Sequence, residues 1–107
     1  MINITESQQQ ILQNVLTKHL PKNTVAYAFG SRVKGTAREY SDLDLVLKSP
    51  EAISILDLAN LKEALAESDL PFRVDISVWQ NLSDRFKTCI ESDLIKINTD
   101  CKQYQQG

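Results

Sequence analysis

The chain has few of the residues that build several common kinds of site. Among its 107 residues are two cysteines and three glycines. Cys89 and Cys101 lack Cys-x-x-Cys spacing, so we expect both thiols to be reduced and structural rather than redox-active or metal-binding. No Gly-x-Gly-x-x-Gly occurs, which argues against a dinucleotide fold. Gly30 and Gly35 have the spacing of a P-loop, but Thr36 stands where that motif requires lysine.

Long apolar runs and an excess of basic residues are also missing. No stretch approaches the roughly 20 apolar residues that span a membrane. The first residues, Met-Ile-Asn-Ile-Thr-Glu, lack the basic and apolar regions of a signal peptide, so we expect a cytoplasmic protein. The formal net charge is −2, which argues against a polynucleotide substrate. The length predicts a single domain over residues 1–107, with the polar segment 98–107 as a frayed tail.

Apolar periodicity and turn residues predict the element order α-β-β-α-β-α, an α/β (α+β) fold with a small mixed sheet and helices. Thr5 and Gln8 resemble a capping box that opens the first helix, which ends before Pro21. Ser49-Pro50 predicts the N-cap and first-turn proline of the second helical region. The predicted strands are 24–29, 42–48 and 72–79, the clearest part of the second helix is 57–68, and the last helix carries Phe86, Ile90, Leu94 and Ile97.

The residues with chemical potential cluster around the predicted strands. Gly30-Ser31 follows the first strand, and ten residues then separate Ser31 from Asp42 and Asp44 at the head of the second. Asp75 lies within the third. Glycine lets the backbone approach a phosphate and serine offers a hydroxyl. Three carboxylates beside such a turn fit a two-metal site for phosphoryl or nucleotidyl transfer.

Strand pairing explains how these residues meet. The second strand can return antiparallel to the first, which brings Ser31 near Asp42. The helical crossover to the third strand favours parallel pairing, which brings Asp75 to the same end as Asp42 and Asp44. Residues two apart in a strand share a face, with Cα atoms about 6.6 Å apart. The sequence therefore predicts one site with Mg²⁺ bound by Asp42, Asp44 and Asp75.

Each part of the pattern also has an ordinary interpretation. Gly30-Ser31 alone is typical of a turn, and Asp42 and Asp44 alone are typical of a solvated strand edge. Asp75 alone fits an outward polar position of an alternating strand. Arg32 is either part of a solvated face or, because it neighbours Ser31, a contact to phosphate. The conjunction of these residues is more specific than any one of them.

At these residues the chain resembles the minimal nucleotidyltransferases of the DNA polymerase β superfamily. Their signature is Gly-Ser, ten residues and Asp-x-Asp, with a later Asp in a strand, and it is matched by Gly30, Ser31, Asp42, Asp44 and Asp75. The resemblance runs from about residue 25 to residue 79. It implies the palm-like nucleotidyltransferase fold, catalytic and metal-binding roles for the three aspartates, and nucleotide binding at Gly30 and Ser31. Arg32 is included among the predicted nucleotide-binding residues because it neighbours Ser31.

The resemblance also implies a partner. Relatives of this size are commonly encoded with, and bind, a small helical HEPN protein, which in characterised pairs is a toxic RNase. The nucleotidyltransferase is then an antitoxin that transfers AMP from ATP to a tyrosine of the toxin. We therefore expect a Mg²⁺-dependent adenylyltransferase that takes ATP as substrate and forms a homo- or hetero-oligomer.

Two other functions remain open at this point. One is nucleotide transfer to a small molecule, which the short chain disfavours because nothing remains to build an acceptor pocket. The other is a binding antitoxin that neutralises its partner by contact alone. A binder has no need for three clustered carboxylates, so the enzyme is the favoured prediction.

Overall fold

The computed structural model describes residues 2–35, 41–97 and 99. The predicted frayed tail over 98–107 lies outside these residues, apart from Thr99. The described elements are, in chain order, α1 (Glu6–His19), β1 (Val25–Phe29), α2 (Ser31–Lys34), β2 (Leu43–Lys48), α3 (Ile55–Ala66), β3 (Val74–Val78), a 3-10 turn (Trp79–Asn81), α4 (Asp84–Glu91) and β4 (Ile95–Lys96). In this part of the chain, no helix has the length and apolar character needed to cross a membrane.

The four strands form one mixed sheet in the order β3-β2-β1-β4. β1 pairs antiparallel with β2, and β2 pairs parallel with β3. Both pairings are those predicted from the sequence, as is the mixed α/β architecture. The parallel pair is joined by α3, the kind of helical crossover that parallel strands require.

The main core lies between one face of the sheet and helices α1 and α3. β2 directs alternate leucines to this face because successive strand residues point to opposite sides. These leucines, Leu43, Leu45 and Leu47, are fully buried. They pack with Leu12 and Leu16 of α1 and with Leu61 and Leu65 of α3.

The opposite face of the sheet is covered by α4. Phe29, Val46 and Ile90 form a second, smaller buried cluster there. The rings of Phe29 and Phe86 meet edge to face, with centroids 5.9 Å apart. Val46 of β2 belongs to this cluster, and Asp44, two residues away in the same strand, points to the same side. The even-numbered residues of β2 therefore lie on the α4 face.

The prediction for the end of the chain was wrong in one respect. The last helix ends at Glu91, and Ile95–Lys96 instead forms β4, which pairs antiparallel with β1. Ile97 donates its N–H to the Ala26 carbonyl and is 3% exposed in the main core. The spacing of Ile90, Leu94 and Ile97 matches a helical face, but the unpaired edge of β1 gives this segment backbone partners that a longer helix cannot use.

The start of α3 also differs from its prediction. The helix is capped by Ser54, whose Oγ accepts the Asp57 N–H at 3.0 Å, and not by Ser49. The Ser49 hydroxyl instead accepts the N–H of Glu51, and its carbonyl accepts the side-chain amide of Gln80. Both Ser49 and Ser54 are N-cap residue types, and the tertiary contact to Gln80 holds the first of them in the connection. The Thr5–Gln8 capping box of α1 is present as predicted.

Candidate active site

Strand register brings the three aspartates to one end of the sheet. Asp44 of β2 is the direct neighbour of Asp75 in the parallel pair with β3. Directly opposed residues on neighbouring strands point to the same face, and the strands are about 4.8 Å apart. Asp42 lies two residues before Asp44 and immediately precedes β2. The structure thus brings Asp42, Asp44 and Asp75 to the same end of the sheet, close enough for the charges of Asp75 and Asp42 to act on Asp44.

The environment of Asp44 is the electrostatic centre of this cluster. Its side chain is partly buried, and desolvation raises the pKa of its carboxyl above the ordinary value of 3.8. The negative charges of Asp75 and then of Asp42 raise that pKa further. All three effects disfavour the carboxylate and would be relieved by a bound cation. Asp75, by contrast, is exposed to solvent.

The aspartate cluster is compatible with a divalent metal, although it does not provide a complete set of protein ligands. Among residues 2–35, 41–97 and 99, no three acidic, histidine or cysteine side chains already converge as a metal-ion site. The donors are carboxylate oxygens, the ligand type that Mg²⁺ prefers. Mg²⁺ is usually bound by one or two carboxylates together with substrate phosphates rather than by an all-protein cage. The donor set thus fits a metal that binds together with a nucleotide.

Arg73 is a member of this site that the sequence analysis missed. Its Nη2 donates to Oδ2 of Asp42 at 3.3 Å, across the parallel pair. The Arg73 and Asp42 side chains are 79% and 43% exposed, so solvent weakens the interaction. The signal was present in the sequence, because Arg73 lies two residues before Asp75 and parallel pairing places it beside Asp42.

Gly30 forms the wall of the site next to Asp44. Phe29 opposes Asp44 in the antiparallel pair, so the chain turns away from the sheet immediately beside that carboxylate. Gly30 has φ 87° and ψ −157°, a conformation that only glycine adopts readily. A Cβ at this position would collide with Oδ2 of Asp44. Both the backbone conformation and the space therefore require glycine.

The first prediction concerns Gly30. Gly30→Ala should destabilise the fold by about 1–3 kcal/mol through backbone strain. It should also displace the Asp44 carboxylate and abolish binding of Mg²⁺-ATP, measured by calorimetry. Gly35→Ala is the matched control, since Gly35 also has positive φ (81°) but nothing lies within 4 Å of its added Cβ. Equal loss of Mg²⁺-ATP binding in the two variants would contradict the assigned contact.

A second prediction follows from the raised pKa of Asp44. In metal-free buffer, Asp44→Asn should be more stable than the parent at neutral pH, since ionised Asp44 is desolvated and repelled by Asp75 and Asp42. The parent recovers stability as the pH falls through the raised pKa of Asp44. The advantage of the variant should therefore shrink towards zero below the ordinary pKa of 3.8. Urea unfolding across this range in chelator measures it, and a pH-independent difference would refute this cause.

Ser31 and Arg32, both predicted to bind nucleotide, have different surroundings in the structure. Ser31 is half-buried and is the first residue of α2, directly after the glycine that abuts Asp44. Arg32 is 5% exposed, and its guanidinium lies 4.1 Å from the centroid of the Phe72 ring. Its Nε and Nη1 donate to the carbonyls of Ser41 and Asn3. The phosphate contact of Arg32 stays a prediction, and these protein contacts favour another role.

A mixed sheet of this order, with three aspartates beside a Gly-Ser turn, is the architecture of a nucleotidyltransferase. The chain belongs to the polymerase beta nucleotidyltransferase family, whose model matches residues 9–103. It is 43% identical over 96 residues to a protein of Haemophilus influenzae named "Probable protein adenylyltransferase MntA". That alignment covers 90% of this chain and 83% of the relative. Family membership and enzyme class therefore agree with the prediction from the motif.

Solved structures agree on the fold. One is a toxin–antitoxin complex with AMP-PNP, which matches with a TM-score of 0.69 at 21% identity, over 84% of this chain and 72% of that chain. Another is a tri-AMPylated Shewanella oneidensis HEPN toxin in complex with an MNT antitoxin. It matches with a TM-score of 0.65 at 17% identity, over 95% of this chain and 78% of that chain.

Proposed function

We propose that this chain is a Mg²⁺-dependent adenylyltransferase that transfers AMP from ATP to a tyrosine hydroxyl of a HEPN-type toxin and thereby acts as its antitoxin. The observation that carries the proposal is the register that pairs Asp44 with Asp75, with Asp42 at the same end of the sheet and Gly30 against Asp44. The name of the Haemophilus influenzae relative supports a protein acceptor. The AMPylated toxin in the Shewanella oneidensis complex supports a HEPN toxin as that acceptor. Such a protein acts in the cytoplasm.

The chain's own residues divide the work of the reaction. Asp42 and Asp44 hold Mg²⁺, and Ser31 together with the backbone after Gly30 binds the β- and γ-phosphates. Bound Mg²⁺ supplies charge neutralisation of the triphosphate and orientation of its α-phosphate. Asp75 completes the acceptor side of the site and accepts the proton of the tyrosine hydroxyl. The acceptor oxygen forms a bond to the α-phosphorus, the α–β phosphoanhydride bond breaks, and pyrophosphate leaves.

Two features of the structure favour a macromolecular acceptor. Asp75, the carboxylate assigned to the acceptor side, is exposed and therefore accessible to a large partner. Among residues 2–35, 41–97 and 99, one sheet and its covering helices account for the helices and strands, so these residues include no separate domain that could build an acceptor pocket for a small molecule. A protein that carries its own reactive hydroxyl needs no such pocket.

Mass measurement of the partner tests this function. A HEPN-type protein that binds this chain is incubated with the enzyme, ATP and Mg²⁺, and its intact mass and modified residue are determined. We expect increments of one adenylyl group, located on tyrosine and absent in chelator. If the partner is neutralised without being modified, the chain acts as an antitoxin by contact alone and the proposed enzymatic function is wrong.

A third prediction concerns the binding of phosphate by Ser31. Ser31→Ala removes one hydrogen bond to a charged phosphate, which should cost about 1.5–3 kcal/mol of ATP binding, roughly a 10- to 150-fold weaker Kd. The fold should be unaffected. Ser7→Ala, which removes an exposed hydroxyl in the first turn of α1, is the control and should leave the Kd unchanged. Indistinguishable Kd values for the two variants would show that Ser31 does not bind a phosphate of ATP.

A further inference from the structure

Arg32 is a buried cation whose contacts join three separate parts of the chain. Its side chain belongs to α2, next to Ser31, and is 5% exposed. Nε donates to the Ser41 carbonyl at 2.9 Å, and Nη1 donates to the Asn3 carbonyl at 2.8 Å. The guanidinium also stacks on Phe72, which closely precedes β3. One side chain therefore touches segments that are distant in sequence.

The segment that contains Ser41 leads directly into the predicted metal ligands. Ser41 immediately precedes Asp42, and its carbonyl belongs to the peptide that joins the two residues. A hydrogen bond to that carbonyl fixes the orientation of the peptide plane from which Asp42 departs. β2 begins one residue later, with Leu43 donating its N–H to the Arg73 carbonyl at 2.9 Å. The backbone around Asp42 is thus held from both sides.

The contact with the N-terminal segment is reciprocal. Asn3 donates its backbone N–H to the carbonyl of Arg32 at 2.7 Å, while the Arg32 side chain donates to the carbonyl of Asn3. This pair anchors α2, and with it the Gly30-Ser31 turn, to the segment before α1. Two hydrogen bonds in opposite directions restrict both distance and orientation. The anchor therefore gives Arg32 a fixed base from which to hold Ser41.

Burial of this charge has a physical requirement that the contacts meet. A buried ionised group is costly unless its donors are satisfied, and arginine stays protonated in proteins. The planar guanidinium supplies several donors in a fixed fork and an apolar face that stacks on an aromatic ring. The carbonyls of Ser41 and Asn3 and the ring of Phe72 match this geometry. A lysine has one ammonium group and lacks both the fork and the face.

We propose that Arg32 is a positioning residue, which holds Asp42 in its metal-binding orientation through the Ser41 carbonyl and ties the Gly30-Ser31 turn to it. The inference rests on the proposed metal site. It differs from the predicted phosphate contact because Arg32 then acts before any nucleotide binds. Groups that orient metal ligands typically affect metal affinity 10- to 100-fold when they are mutated.

The test is the affinity for Mn²⁺ in the absence of nucleotide, measured by electron paramagnetic resonance. Mn²⁺ is the probe because carboxylate sites that take Mg²⁺ also take Mn²⁺. Arg32→Lys keeps the charge and should weaken Mn²⁺ binding roughly 10- to 100-fold. Arg85→Lys, the same change at an exposed position of α4, is the control and should bind Mn²⁺ like the parent.

The outcomes separate this inference from the function on which it rests. If the parent binds Mn²⁺ and Asp42→Asn does not, the metal site stands whatever Arg32→Lys shows. Unchanged Mn²⁺ affinity in Arg32→Lys with weaker ATP binding would make Arg32 a phosphate contact and overturn the positioning role. Unchanged affinity for both would leave it a purely structural arginine. A parent that binds Mn²⁺ only together with ATP would overturn the positioning role, because Arg32 is proposed to act before any nucleotide binds, and would leave the proposed function standing. A parent that binds no Mn²⁺ even with ATP would remove both proposals.

A second variant serves if Arg32→Lys does not fold. Phe72→Leu keeps an apolar side chain but removes the ring on which the guanidinium stacks, and with it a contact that orients the hydrogen bond from Arg32 to the Ser41 carbonyl. Loss of this cation–π contact should loosen the guanidinium and weaken Mn²⁺ binding by roughly threefold or more. Melting curves of each variant show whether it is folded. Parent-like Mn²⁺ affinity in folded Phe72→Leu would then contradict the proposal.

Discussion

Asp75→Asn should abolish transfer while sparing binding. Asp42 and Asp44 remain to hold Mg²⁺ and the triphosphate, so the Kd for Mg²⁺-ATP should stay close to that of the parent. The acceptor hydroxyl loses the carboxylate that takes its proton, and contributions of that kind are typically about 10²–10⁴-fold in rate. Because Asp75 is exposed, replacement by an isosteric amide should leave the fold unchanged. Single-turnover transfer to the partner measures the loss.

The same variant separates catalysis from contact in cells. If modification is the mechanism, Asp75→Asn should still be retained on the partner in a pull-down yet fail to neutralise it. The matched control is Asp69→Asn, which changes an exposed aspartate in the turn before β3 and should neutralise the partner fully. Full neutralisation by Asp75→Asn, with no adenylyl group on the partner, would establish the contact-only antitoxin instead.

The second large effect is that Mg²⁺-ATP should no longer raise the Tm of the Asp42 and Asp44 variants. At a Mg²⁺-ATP concentration 100 times its Kd, native-state binding adds about 2.7 kcal/mol, which corresponds to a rise of roughly 10–20 °C in Tm for a domain of this size. Asp42→Asn and Asp44→Asn should each abolish that rise, because each removes a metal ligand. Differential scanning fluorimetry with and without Mg²⁺-ATP measures it.

Controls fix the interpretation of that experiment. Asp69→Asn should keep the full rise in Tm, and ATP with chelator should give little rise in any variant. In metal-free buffer, Asp44→Asn should melt no lower than the parent, since its carboxyl is destabilising there. If Asp42→Asn and Asp44→Asn respond to Mg²⁺-ATP like the parent, the aspartate cluster is not the metal site.

The sequence contained enough information to predict the sheet around the site. Alternating leucines in β2 specify which face is buried, and the same alternation places Asp44 on the other face. The crossover helix then favours a parallel β3, which predicts Asp75 at the same end of the sheet as Asp42 and Asp44. The structure adds the register that pairs Asp75 with Asp44. Local pattern and topology act on the same residues here, and the prediction succeeded for that reason.

The remaining features depend on contacts between distant segments. The segment 95–97 fits a helical face as well as a short strand, and only the free edge of β1 decides between them. Ser49 and Ser54 are both N-cap residue types, and the bond from Gln80 distinguishes them. Arg32 resembles any surface arginine in sequence. Its burial follows from Ser41, Asn3 and Phe72, which lie up to 40 residues away.

Comparison of two labels in one reaction tests the central claim most directly. The chain, its HEPN partner and Mg²⁺ are incubated with ATP labelled at the α-phosphate or, in parallel, at the γ-phosphate. Adenylyl transfer predicts label on the partner from α-labelled ATP only, with pyrophosphate released in equal amount and no transfer by Asp75→Asn. Label from γ-labelled ATP, or none from either, would contradict the assignment of this chain as an adenylyltransferase of its partner.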